Sequence, residues 1–361
     1  MTRADGRRPP SSTRRAMFPD AVLHTSRGPA WRAVAAARLV AVYAMTVGLG
    51  VFLDPGRAAS DGQSLGLLAA SSALFAMVSQ VGATPREATL ALVLLDASAA
   101  CGAALAAVAA SVLPLHAGID IEWVLLIGAF ACAAARCRGS LAAGLGSQFY
   151  IGQLVACNEH LQAADLGRIA LSGVIALVAT VAVRRVIAPN QCDAPSPRPA
   201  PARGALGMPG WLCLGLQAAV PSAVVMLLGT HLKLVEPVWA ITACVYVVST
   251  SRSASLERIR RRLAGTAVGV PFGLLVVPMA IAHPALAWTC AAAAISIYAM
   301  ALPERYDIAC GAFAFALVIT MAACGMDSFT QLSARLWETA LGAVLASCAA
   351  VLLPPRETLA R

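Results

Sequence analysis

The stretch Ala88-Thr89-Leu90-Ala91-Leu92-Val93-Leu94-Leu95-Asp96-Ala97-Ser98-Ala99-Ala100-Cys101-Gly102-Ala103-Ala104-Leu105-Ala106-Ala107-Val108-Ala109-Ala110-Ser111-Val112-Leu113 carries one charge, Asp96. A run of this length and polarity fits a helix that crosses a bilayer, which needs about 20 apolar residues. Helices are the form such a run takes in lipid, because every backbone N–H and C=O must be satisfied within the segment. The same texture recurs along the chain. Of 361 residues, 59% are hydrophobic and 12% charged, with a mean hydropathy of +0.75. Soluble domains sit nearer about 45–50% apolar and about 25% charged. An ordinary water-soluble enzyme is excluded, and an all-α polytopic membrane protein is expected, with the lipid bilayer as its first partner. The net charge of +9 does not point to nucleic acid, because the basic residues form short clusters between apolar runs.

Twelve apolar segments can be counted. Six lie near 34–53, 64–81, 89–113, 123–136, 139–157 and 167–183. Six more lie near 210–230, 236–250, 263–282, 285–301, 308–324 and 332–353. Before them, residues 1–33 are polar and read as a disordered cytoplasmic tail, with no h-region to make a cleavable signal. Between the sixes, 186–207 is rich in Pro, Ala and Arg and reads as a linker. The expected organisation is therefore a membrane repeat at 34–185 and a second at 208–356. Six spans each would put the two copies in the same orientation, as parallel repeats. A shift of 169 residues aligns them and sets Arg168 beside Arg335.

Basic residues orient the chain, since cytoplasmic loops collect Lys and Arg. With the N-terminus inside, eight arginines up to Arg38 and fifteen beyond it fall on the cytoplasmic side, twenty-three in all. Arg57, Arg168, Lys233 and Arg335 fall on the other. Both termini are expected in the cytoplasm. Lys233 is the only lysine, and no phosphate-cradling glycine loop surrounds it. A P-loop ATPase needs that pairing, so an ion gradient or a partner would supply the energy of transport. Eleven cysteines are scattered without a CxxC and five histidines without an HExxH. No metal, cofactor or enzymatic chemistry is expected.

Charges inside the spans are the candidates for function. Asp96 would cost roughly 2.5–3.5 kcal/mol unpaired near the bilayer centre. Two readings stand: a carboxyl that trades a proton and couples transport, or a structural acid near the cytoplasmic mouth, bonded close to Ser98. Arg335 and Glu338 share a helical face three residues apart. They can neutralise each other, or Arg335 can attract an anionic substrate. Gln148 and Tyr150 mark the most polar span, and Trp239 and Thr242 open another; all four are candidates for a substrate path or for interhelical contacts. Trp239 also suits an interfacial aromatic anchor. Gly265, Gly269 and Gly273, with Thr266, form a small-residue stripe that lets a second helix backbone approach. Pro271 and Pro278 in the same segment predict a kink. Arg252, Arg258, Arg260, Arg261 and Arg262 form a basic cytoplasmic turn, held against anionic headgroups or collecting acids.

Trp239-Ala240-x-Thr242, the Ser/Arg-rich turn, Arg262-x-x-Gly265-Thr266-x-x-Gly269 and the tail Arg335-Leu336-Trp337-Glu338-Thr339-Ala340-Leu341-Gly342 together resemble the fusaric acid resistance-like, or aromatic acid exporter, family. The likeness runs over 210–356. Over 34–185 the counterpart of Gly265-Thr266 is Asp96-Ala97. The resemblance implies export of aromatic carboxylic acids or related toxic compounds across a bacterial inner membrane, in some members with a periplasmic adaptor. Many members carry a large soluble cytoplasmic domain between the membrane halves; here about twenty linker residues occupy that place, which leaves dimerisation through that domain without a carrier. Self-association as a homo-oligomer stays open. The leading expectation is a secondary, proton-driven exporter of small organic anions. A passive anion channel, as in the distantly similar plant malate channels, is the second. A non-transporting inner-membrane component of an envelope complex is the third.

Overall fold

The computed structural model describes residues 28–54, 65–79, 82, 84–112, 121–189, 203–204, 208–249, 252–302, 304–323, 329–353 and 355–356. The expected tail up to residue 27, and the linker at 190–202 and 205–207, lie outside these.

Twelve α-helices form among the described residues, one for each apolar segment. The first half holds α1 (Pro29–Leu53), α2 (Leu65–Ser79), α3 (Pro85–Val112), α4 (Leu125–Ala135), α5 (Ser140–Asn158) and α6 (Leu166–Val186). The second holds α7 (Gly210–Leu232), α8 (Pro237–Val247), α9 (Arg252–Ala282), α10 (Pro284–Ala301), α11 (Tyr306–Ala323) and α12 (Phe329–Leu352). A two-residue antiparallel pairing of β1 (Arg203–Gly204) with β2 (Pro355–Arg356) is the only sheet among the described residues. Seven helices, α1, α3, α6, α7, α9, α11 and α12, are long and apolar enough to cross a membrane. The 11-residue α8 rises only about 16 Å, half of a hydrocarbon core of about 30 Å. The span expected at 236–250 is thus a short buried helix.

Two boundaries correct the sequence reading. α1 starts at Pro29, not at 34, because proline suits the first helical turn. The basic stretch before Gly265 is not a turn but the opening of α9, which runs unbroken from Arg252. No Gly or Pro interrupts it before Gly265, and Glu257 pairs with Arg260 at 3.0 Å and with Arg261 at 2.6 Å on the same helical face. Ile259 faces inward with Leu263 against Val247, Ala343 and Ala346. Pro271 and Pro278 lie inside this same continuous helix.

Packing follows a repeating scheme. α1 packs on α2 and α6, α2 on α6, α3 on α5 and α6, and α4 on α5. Six helices on, α7 packs on α8 and α12, α8 on α12, α9 on α11 and α12, and α10 on α11. The halves meet through α4 against α7 and α10 against α1. The outer surface is greasy: Phe52, Val112, Phe272, Leu275, Phe329 and Leu352 are all exposed. Such a surface is stable in lipid, not in water.

The interior is built on small residues. In α9 a Cβ on Gly265 would run into the carbonyl of Asp307, and one on Gly269 into the carbonyl of Gly311, so α9 and α11 lie backbone to backbone. In the first half Gly102 meets Phe149 and Gly152 meets Ala99 in the same way, joining α3 to α5. Dispersion between closely apposed backbones, not hydrophobicity, holds helices together in lipid.

Candidate functional site

Between the halves lies a cavity of about 200 Å³. Its walls come from α1, α2 and α5 on one side and α8, α10 and α11 on the other. Tyr43, Phe75, Trp239, Tyr246, Tyr298 and Phe313 make it aromatic. Phe75 and Phe313 meet edge-on across the halves at 5.6 Å between ring centres, and Phe313 also packs on Tyr298.

Hydroxyl pairs bridge the halves around this cavity. Tyr43 and Thr320 lie 3.1 Å apart, Tyr150 and Thr242 3.0 Å, and Ser147 and Tyr246 2.8 Å. Thr242 also donates to the Val238 carbonyl at 2.7 Å, so its proton is committed and Tyr150 is the donor to it. Each pair lets a hydroxyl stay in an apolar interior, where an unmade bond costs about 1–3 kcal/mol.

The charged candidates take separate places. Trp239 lines the cavity, and the Arg335 guanidinium lies over its ring at 3.6 Å, a cation–π contact. Arg335 also reaches the Met321 sulfur at 3.8 Å. No ion pair joins Arg335 to Glu338, which corrects the expected neutralisation. Glu338 Oε1 instead accepts the backbone N–H groups of Val235 at 2.8 Å and Glu236 at 3.0 Å, just ahead of α8. At the other end of α8, Arg136 donates to the carbonyls of Val248 and Val245. A carboxylate at the N-terminus and a guanidinium at the C-terminus both oppose the helix dipole. They hold in place a helix too short to be anchored by both membrane faces.

Asp96 is the twelfth residue of the 28-residue α3 and 3% exposed. Its partner is Thr180 of α6, which donates to Oδ2 at 3.0 Å; Ser98 is turned to the Leu145 carbonyl instead. Asp96 Oδ1 is buried without a partner. Asp96 lines a second, small pocket of about 20 Å³, room for one water. Leu68, Ser71, Ile151 and Val155 line both this pocket and the central cavity.

Gln148 is fully buried and donates to the Ser72 carbonyl at 3.0 Å, tying α5 to α2 away from the cavity. The glycine stripe serves the α9–α11 contact. Of the basic cluster, Arg258, Arg260, Arg261 and Arg262 lie on the opening turns of α9, and Arg261 also reaches the Glu304 carbonyl at 3.1 Å. Tyr43, Phe75, Phe313 and Glu159 are wall residues that sequence reading missed. Glu159 follows α5 at the cavity's rim, and Asn158 donates to it at 3.4 Å. Burial pushes its carboxyl above the usual range, with Asn158 and Arg168 pulling the other way.

The second half of this frame has a counterpart among known proteins. Residues 223–349 match the family described as Fusaric acid resistance protein-like. The fusaric acid resistance-like segment runs from inside α7 into α12 and contains the Trp239–Thr242 wall, the glycine stripe, Arg335 and Glu338. The apolar helices mark a multi-pass membrane protein, and the match makes its second half similar to that family. No curated protein and no solved structure matches the chain.

Proposed function

We propose that the protein is a secondary, proton-driven efflux transporter of small organic anions, aromatic carboxylic acids among them, in the bacterial inner membrane with both termini cytoplasmic. The central observation is the aromatic cavity between the two halves, where transporters built from repeats hold their substrates. The matching packing schemes of α1–α6 and α7–α12 support two parallel six-helix repeats and twelve membrane passages, with α8 completing its passage only within the protein. The resemblance makes a periplasmic adaptor the partner to seek.

Asp96 is the proposed proton carrier. Ser71, Ser72 and Ser172 line its pocket, and each donates its proton to a carbonyl of its own helix. They therefore present lone pairs to the pocket that Asp96 lines, where a protonated carboxyl is better suited than a carboxylate. Uptake of benzoate and salicylate into inverted vesicles, with and without a pH gradient, tests the reading. Asp96→Asn should abolish gradient-driven uptake while the protein stays folded; uptake by the variant at the wild-type rate would exclude Asp96 as the carrier.

A further inference from the structure

The cavity's chemistry bears on the charge state of what it holds. Among its described wall residues Glu159 alone is charged, and it is an acid. The remaining polar wall groups are hydroxyls, the Asn158 amide and the Trp239 indole N–H, and Tyr43, Thr242, Tyr246 and Thr320 already bond to one another's helices or to Ser147 and Tyr150. No guanidinium or ammonium group is among the wall residues. The Arg335 guanidinium lies on the Trp239 ring and is not part of the wall, and Arg136 caps α8. A carboxylate entering this space would lose its water and meet no cation in exchange. Burying a charge on such terms is far costlier than burying a neutral polar group.

One wall group asks for a partner. The Trp239 indole N–H is buried and donates to nothing. It is a neutral donor beside an aromatic wall, suited to a carbonyl oxygen. Glu159 at the rim suits a hydrogen-bond donor on the same guest.

We infer that the central cavity binds its aromatic guest uncharged, as an amide, a phenol or the protonated form of a carboxylic acid, with the Trp239 N–H donating to the guest's oxygen, and that it discriminates against carboxylates. The inference rests on the transport reading for its site and narrows the species that site accepts: an organic anion enters only after taking up a proton.

The test compares benzamide with benzoate, two guests of one shape, by calorimetry on the purified full chain in nanodiscs at neutral pH. Benzamide should bind at least about tenfold more tightly, because only the benzoate must shed the hydration of an ion. Trp239→Phe keeps an aromatic wall but removes the N–H, and should weaken benzamide several-fold. Glu159→Gln should narrow the gap between the two guests. Benzoate binding as tightly as benzamide to the wild-type protein would overturn the inference and leave the transport reading standing. Binding of neither guest would overturn both.

Discussion

Single residues in this protein act mostly as caps and bridges. Glu338 was legible as a charge out of place in a span, but not as a cap, because the amides it holds lie 102 and 103 residues away. Glu338→Ala should lower stability by about 1 kcal/mol, as it leaves two part-buried N–H groups without their acceptor. Glu338→Gln keeps an acceptor oxygen and should lose less; thermal unfolding in detergent ranks the two. Burial holds Glu159 and Glu236 above their ordinary value of 4.5. For Glu236 the Arg335 charge opposes that rise without cancelling it. A carboxyl so raised favours the folded state while protonated. Its contribution is complete in acid and is lost as pH climbs past 4.5 and through the folded value. Melting temperature measured upward from pH 4.5 should therefore fall less steeply in Glu159→Gln and Glu236→Gln than in the unaltered protein. Equal slopes would show that these carboxyls titrate alike in both states.

At the scale of elements, small residues decide which helices touch. The stripe of Gly265, Gly269 and Gly273 was visible from its spacing of four, and it faces α11 along its length, with Gly273 against Val318. Its partner was not visible, since no pattern in α11 points back to α9. Gly269→Ala places a Cβ against the Gly311 carbonyl and should cost about 1–3 kcal/mol as the helices part. Gly48→Ala is the control: nothing lies within 4 Å of its Cβ, and it should leave stability unchanged or raise it by up to about 1 kcal/mol. Equal losses at both positions would mean that backbone contact is not what holds α9 to α11. The basic opening of α9 reads as a turn by its charge, yet its residues favour a helix. Arginine is a good helix former, and a helix of 31 residues is long enough to carry its first turns beyond the bilayer.

For the molecule as a whole, orientation can be tested at one native atom. Lys233 is the only lysine and lies exposed at the left-handed C-terminal cap of α7. A membrane-impermeant amine reagent, read out at the peptide that carries Lys233, should label it from outside intact cells and not from the outside of inverted vesicles, with Lys233→Arg as the control for that peptide. The opposite pattern would reverse the orientation drawn from the arginine bias. The sequence by itself determined the helices and their number, because each apolar run must satisfy its own backbone wherever it meets lipid, and that is a local requirement. It also marked Asp96, Trp239 and Arg335 as residues out of keeping with their surroundings. Only the tertiary structure decided which faces meet. These helices are apolar nearly all round, and lipid tails are as apolar as the side chains they compete with, so no stripe in the sequence points a helix at its neighbour. The cavity followed from that choice. Tyr43 and Thr320 face each other across 277 residues, and close backbone contact and shape, not hydrophobic pattern, brought them there.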